Sequence, residues 1–538
     1  MDPEAGMDRG GGCAGAWHKS AGLPGIDETH PMPVSLLQST RRDFIAALSA
    51  GLGLLAVPRA LASQAAFSPQ VVIEEAAALA RRDFTPPERI PEALSRLDYS
   101  TYRGIRFRKS EAIWATAPSR FSVELFAPGF LYNEGVDLFL VEEGVALPVA
   151  ASAATFETPR PEIAALLDRV RRFAGFRVHY PINRDDYPDE FLVFQGASYF
   201  RAVSKDQRYG LSARGLAVDV AEPGGEEFPT FRRFWIERPQ KGASHVVIHA
   251  LLDSRSLTGA YHFTVRPGDP TTMDVEATLF PRRTVEHVGL GALTSMFMHG
   301  PMDMDSRPDH RPAVHDSLGL AMLTGRGERI WRPLANPRTL QIAAFVDQSP
   351  KGFGLIQRER GFEAFQDLEA RYELRPSAWV RPVGDWGRGH VVLVEIPSDS
   401  EANDNIVAYW RPAEPLLEGE TYAYSWQVSF PDDVPPPPGL ARVIRSAQGM
   451  AFESDEREIV IDYAPVPGLD PADLSLDVTC VPGVLRQATV HVNEITGGLR
   501  AAVRFDPSGQ PLSEIRVQPK RDDVPVGETW LYRWTAEG

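Results

Sequence analysis

The chain has 538 residues, of which 43% are apolar and 24% charged, with 27 Phe, 14 Tyr and 10 Trp. That is material for a substantial core and excludes a disordered chain, and at roughly 150 residues per domain the length excludes a single small module. The 56 basic residues against 72 acidic ones leave a net charge of −16, which excludes a general binder of nucleic acid, whose affinity rests on an excess of Lys and Arg.

In chain order, the first recognisable feature is Ser39-Thr40-Arg41-Arg42-Asp43-Phe44, followed by a 13-residue, mostly apolar run from Ile45 to Val57 and by the small residues Ala60-Leu61-Ala62-Ser63. This pattern resembles a twin-arginine export signal. The run is too short for a hydrocarbon core that needs about 20 residues, so it predicts cleavage and no stable membrane insertion. Met32 stands at a conventional distance ahead of the arginine pair, whereas residues 1–31 are unlike the start of a signal. Cys13 falls in the removed part. Cys480 is then the one cysteine left, so an intrachain disulfide is excluded.

Between Ala65 and Arg82, Val72, Ile73, Ala76, Leu79 and Ala80 recur at helical spacing and predict an amphipathic helix. Beyond it the pattern changes to alternation, as in Arg103–Arg108 and Phe121–Phe126, and to short apolar runs such as Val391–Val394, separated by Pro/Gly-rich turns. Many strands without regular helices between them predict a large antiparallel sandwich. The run Pro431-Asp432-Asp433-Val434-Pro435-Pro436-Pro437-Pro438-Gly439 cannot join a sheet ladder. It predicts a boundary: 1–62 as extension and signal, 67–430 as a large β-domain, 431–440 as linker and 441–538 as a smaller one. Glu458–Tyr463 and Leu474–Cys480 alternate again within that last stretch, whose length suits an immunoglobulin-like sandwich.

Walker A, His-Glu-x-x-His, Cys-x-x-Cys and Gly-x-Ser-x-Gly motifs are missing, so the sequence carries no cofactor signal and no metal-ligand spacing. What stands out is a set of polar-aromatic segments: Gly175–Pro181, Phe194–Arg201, Phe231–Glu237, Val314–Ser317, Ile330–Leu334 and Asn403–Trp410. A sugar ring packs its C–H faces on aromatic rings, while its hydroxyls need Arg, Asp, Asn or Gln. On that basis Tyr199, Arg201, Trp235, Trp331 and Arg332 are candidate sugar contacts. Composition alone favours ordinary core aromatics and ion pairs.

The same segments, with Leu293–Phe297, Arg375–Trp379 and Gly384–Gly387, resemble the periplasmic glucan biosynthesis protein G/D family from about Pro69 to near the C-terminus; the arginine pair favours its D type. The resemblance implies a mainly β fold, a large galactose-mutarotase-like β-sandwich followed by a smaller immunoglobulin-like one. It also implies a periplasmic location and action on β-1,2-linked glucan as an inverting glucanase, with transglycosylation or non-catalytic glucan binding as alternatives. A second copy of the chain or glucan-assembly proteins are further candidate partners. Carried over motif by motif, the resemblance assigns the catalytic aspartates to Asp316 and Asp404, with Tyr372 and Glu401 beside them. Inverting cleavage needs one protonated carboxyl and one carboxylate that activates water; spacing alone leaves open which aspartate is which.

Overall fold

The computed structural model describes residues 66–303 and 309–536. The expected signal, Met32 and Cys13 lie outside the described residues. From Pro69 to Ala80 the chain is helical, as the spacing predicts, with Pro at its first turn and Val72 and Ala76 buried. This helix lies across the outer face of a sheet and packs on Val141, Trp235, Leu251 and Ala260. A second helix, Pro161–Val170, buries Ile163 and Leu167. It is too short to interrupt the alternating pattern that dominates the sequence.

Strands account for most of the remaining order, so the fold is mainly β. Among the described residues, one sheet of ten strands runs from Ser122–Phe126 through Gly175–Arg184, Tyr187–Gln195 and Tyr199–Ala202 to Val288–Ser295, Ile406–Pro412, Arg388–Glu395 and the edge strand Gln341–Gln348. A second, of fifteen strands, includes Thr230–Glu237, Val246–Asp253, Leu257–Arg266, Thr271–Pro281 and Tyr422–Phe430. The two pack face to face on aromatic rings. Phe176 meets Phe234 at 5.0 Å between centroids, and Phe194 meets Phe263 at 5.3 Å, separations typical of edge-to-face packing. Val391–Val394 is a continuous apolar run because all four residues are buried.

One expected strand is cut short. Only Arg106–Phe107 of the alternating stretch Arg103–Arg108 pairs as strand, because Asp98 accepts a hydrogen bond from the Thr101 N–H at 2.8 Å and caps a helical turn over Tyr99–Arg103.

Residues 431–440 carry no regular secondary structure. Beyond them, Val443–Met450, Arg457–Tyr463, Gly498–Asp506 and Val484–Asn493 form a four-stranded sheet. The strands Ser475–Val481, Leu512–Arg521 and Thr529–Thr535 instead extend the fifteen-stranded sheet. The joint is parallel, pairing Ile330 with Thr529 and Trp331 with Trp530. Ser63–Gly538 forms one compact unit. Cys480 is a buried free thiol.

At this joint lies a buried charge cluster. Glu528, wholly buried, accepts Nε of Arg329 at 3.2 Å, Nη1 and Nη2 of Arg358 at 2.7 and 2.8 Å, and the Val443 N–H at 2.8 Å. Arg358 also lies over the Trp331 ring at 3.7 Å. Two cations and an N–H hold the Glu528 carboxylate ionised against the cost of burial, keeping its pKa below the usual value. Removing one member of a buried ion cluster strands the others. Glu528→Gln is therefore expected to lower stability by about 3–5 kcal/mol in chemical denaturation at pH 7.

Candidate active site

Asp316 follows the two-residue strand Val314–His315, which pairs with Phe297–His299, and its N–H donates to the Met296 carbonyl at 2.8 Å. Asp404 precedes Asn405, a buried amide that grips Phe297 from both sides. The Phe297 N–H donates to Asn405 Oδ1 at 2.8 Å, and Asn405 Nδ2 donates to the Phe297 carbonyl at 2.9 Å. One short strand thus anchors two aspartates that are 88 positions apart in sequence.

The two carboxylates differ in surroundings. Asp316 is 4% exposed and accepts a hydrogen bond from Nη1 of Arg375. Burial pushes its pKa up to about 6; the charge of Asp404 adds to the rise, while Arg375 and Arg201 oppose it. Asp404 is more open, its side chain 31% exposed, with Arg201 Nη2 3.8 Å from Oδ2. Arg201 is steadied in turn by donating from Nε to Ser212 Oγ at 2.7 Å.

Around them runs a connected polar network. Tyr372 donates its hydroxyl to Glu401 Oε2 at 3.0 Å, and its ring lies 4.5 Å from the Arg375 guanidinium. Burial, with the negative charge of Glu401 next, raises the pKa of the Tyr372 phenol and keeps it a donor. Arg311 Nη1 donates to the same Glu401 oxygen at 2.8 Å and to Asp367 Oδ2 at 2.9 Å. His315, adjoining Asp316, is buried and its pKa is lowered to about 3, so the imidazole is neutral; Gln357 Nε2 lies 3.1 Å from its Nδ1.

The structure therefore brings Asp316, Asp404, Tyr372, Glu401 and Arg201 into one network, with Tyr199 near enough for the charge of Asp404 to act on its hydroxyl. Three sequence candidates lie outside this network. Trp235 is buried beneath the N-terminal helix, stacked on Phe139 at 5.5 Å. Trp331 is 2% exposed in the core of the C-terminal joint. Arg332 is buried, donating to Glu395 Oε2 at 3.1 Å and lying over the Tyr532 ring. Trp235 and Arg332 are packed within protein, and Trp331 also lines a small cavity of about 130 Å³ together with Phe297 and His315.

Sequence reasoning passed over Arg375, Arg311 and Asn405. Arg375 and Asn405 sit inside quoted motifs, and their polarity beside an acid was the available signal. Arg311 pairs with nearby Asp309, but its links to Asp367 and Glu401 join segments remote in the chain, which no local pattern encodes.

The model of the family described as periplasmic glucan biosynthesis protein, MdoG, matches residues 67–534. This chain belongs to that family. It is 49% identical over 471 residues to the glucans biosynthesis protein G 2 of Shewanella oneidensis, covering 88% of this chain and 89% of that one. It is 46% identical over 506 residues to the glucans biosynthesis protein G of Rhodopseudomonas palustris strain BisA53, covering 92% and 99%. A solved galactose mutarotase related enzyme from Lactobacillus acidophilus shares 8% identity at a TM-score of 0.20, covering 45% of this chain and 98% of its own. The relatives are named G, so they do not support the D type. The expectation of that type rested on the arginine pair, which precedes the matched residues. Among the described residues no helix is long and apolar enough to cross a membrane.

Arg375 opposes the rise in the Asp316 pKa both by charge and by hydrogen bond. Arg375→Gln is expected to move the Asp316 carboxyl titration, followed by carbon NMR, upward by about one to three pH units from the parent value.

Proposed function

We propose that this protein cleaves the β-1,2-linked backbone of periplasmic glucans with inversion, using Asp316 and Asp404 as its two carboxyl groups. The observation that carries the reading is a buried carboxyl of raised pKa, coupled electrostatically to a more open one, within a network that also holds Tyr372, Glu401 and two arginines. Family membership supplies the glucan, and the pair of carboxyls supplies the chemistry.

In this proposal Asp316 is the base. A pKa of about 6 leaves it mostly ionised at pH 7, and Arg375 favours the anion through its hydrogen bond. It is nonetheless a better proton acceptor than a surface carboxylate, because the pKa lies about two units higher. Asp316 takes the proton of the attacking water, directly or through an intervening hydroxyl. Asp404, on the open side, protonates the departing glycosidic oxygen when a sugar covers it. Glu401, held by the Tyr372 hydroxyl, orients the sugar.

The proposal includes export by the twin-arginine route with removal of residues 1–62. It also divides the exported chain into a glucan domain over 67–430 and an immunoglobulin-like unit over 441–538. The four-stranded sheet after the proline run supports that last assignment.

Asp316→Asn and Asp404→Asn are each expected to lower kcat on linear β-1,2-glucan by about 10²–10⁴-fold, read as reducing ends released. Near-full activity in both folded variants would reject the pair. With Asp316 as base, activity falls as pH drops through about 6; a fall on raising pH through that value would reverse the two roles.

Stability gives an independent check on the burial of Asp316. Its folded pKa lies above the unfolded one, so the folded chain binds this proton more tightly. The ionised group therefore destabilises the fold as pH rises from about 4 to 6, and above that by on the order of 3 kcal/mol. Asp316→Asn is expected to show a Tm at pH 7 no lower than the parent's, measured by calorimetry.

A further inference from the structure

Beside the carboxylate network lies a cavity of about 370 Å³, within the range of small-ligand sites. Its lining includes Tyr132, Gln195, Tyr199 and Phe228, with Arg89 and Glu134 at one end. At Arg89, Glu134, Phe228 and Thr230 it meets a second, larger cleft of about 1210 Å³, because those four residues line both. The two adjoin there as a trench, and Tyr199 ties it to the candidate active site: it stands two positions from Arg201 on the strand Tyr199–Ala202, hence on the same face, and Arg201 Nη2 lies 3.8 Å from Asp404 Oδ2. Arg201, the partner of Asp404, likewise acts on the hydroxyl of Tyr132.

The trench has an unusual composition for solvent-facing surface. Phe228 is 52% exposed and Leu131 is 73% exposed, yet they stand beside half-buried tyrosines and planar polar side chains. The rings are held in place from behind. Tyr132 packs on Tyr102 at 5.9 Å, and Tyr102 in turn on Phe130 at 6.0 Å. Arg214, buried and paired with Glu226, lies 4.7 Å from the Tyr199 ring and 5.6 Å from the Phe228 ring, so it fixes both. Rings fixed from behind lose little entropy when a ligand lies on them. Apolar ring faces alternating with Gln, Arg and Glu match a neutral sugar chain and suit neither a lipid nor a nucleic acid.

We propose that Tyr132 and Phe228 form a sugar-stacking station remote from the bond that is cleaved, gripping glucose units of the same glucan chain. This rests on the proposed function and adds to it a preference for long chains. A Phe ring left half exposed beside buried Arg214 is the feature that the proposal explains.

The test is calorimetric titration of the full chain carrying Asp404→Asn, so that binding is read without turnover, with linear β-1,2-glucan and with the β-1,2-linked glucose disaccharide as probes. Adding Phe228→Ala or Tyr132→Ala is expected to weaken the long glucan by about threefold to tenfold with the melting temperature retained, as an aromatic contact requires. The disaccharide is expected to bind far more weakly than the long chain in the parent. If both variants bind the long glucan as tightly as the parent, the station is wrong while the active-site reading stands. If the parent itself fails to bind linear β-1,2-glucan, the functional reading falls and the station's ligand falls with it.

Discussion

Placing a carboxylate in the interior is the constraint around which the site is organised. Asp316 keeps almost no contact with solvent, and water would otherwise stabilise its charge by many kcal/mol. The neighbouring Arg375 compensates in part, enough to keep the group ionised near neutrality but not enough to restore an ordinary pKa. Arg375 must then be held itself, and the Tyr372 ring supports its guanidinium. Tyr372 needs an acceptor for its buried hydroxyl and finds Glu401. Glu401 lies on the same loop as Asp404, so one buried charge connects, contact by contact, to the second carboxyl.

The backbone does the complementary work. Sheets leave their side chains alternating between core and solvent, which positions residues coarsely. The finer placement comes from Asn405, whose amide satisfies both the N–H and the carbonyl of Phe297. A side chain that imitates a strand neighbour in this way fixes the end of the 398–405 loop to the strand next to Asp316.

Much of the fold was legible from the sequence. The N-terminal helix over Pro69–Ala80 was readable because Val72 and Ala76 repeat at one face, and the β-rich remainder because alternation and Pro/Gly turns dominate. The helix over Pro161–Val170 was passed over although Ile163, Leu166, Leu167 and Val170 recur at helical spacing behind a Pro in its first turn, so its signal was present in the sequence. In the site, Asp316, Asp404, Tyr372 and Glu401 were named through motif resemblance. Trp235, Trp331 and Arg332 were named alongside them and lie outside that network for a physical reason. A Trp or Arg that binds sugar and one that closes a core have the same composition, and only the environment separates them. Trp331 sits under Arg358, 27 positions on, and beside Trp530, 199 positions on, contacts that no local pattern encodes.

The parallel joint between Arg329–Pro333 and Thr529–Thr535 bears on how the molecule tolerates change. A module appended through a linker can be deleted or exchanged with little effect on its neighbour. Here the last strand is an internal rung of the larger sheet, lying between Arg329–Pro333 and Leu512–Arg521, so removing it would open a sheet edge, take away Trp530 and uncover Trp331. The C-terminal portion is consequently an architectural wall, which tolerates change less readily than the surface loops.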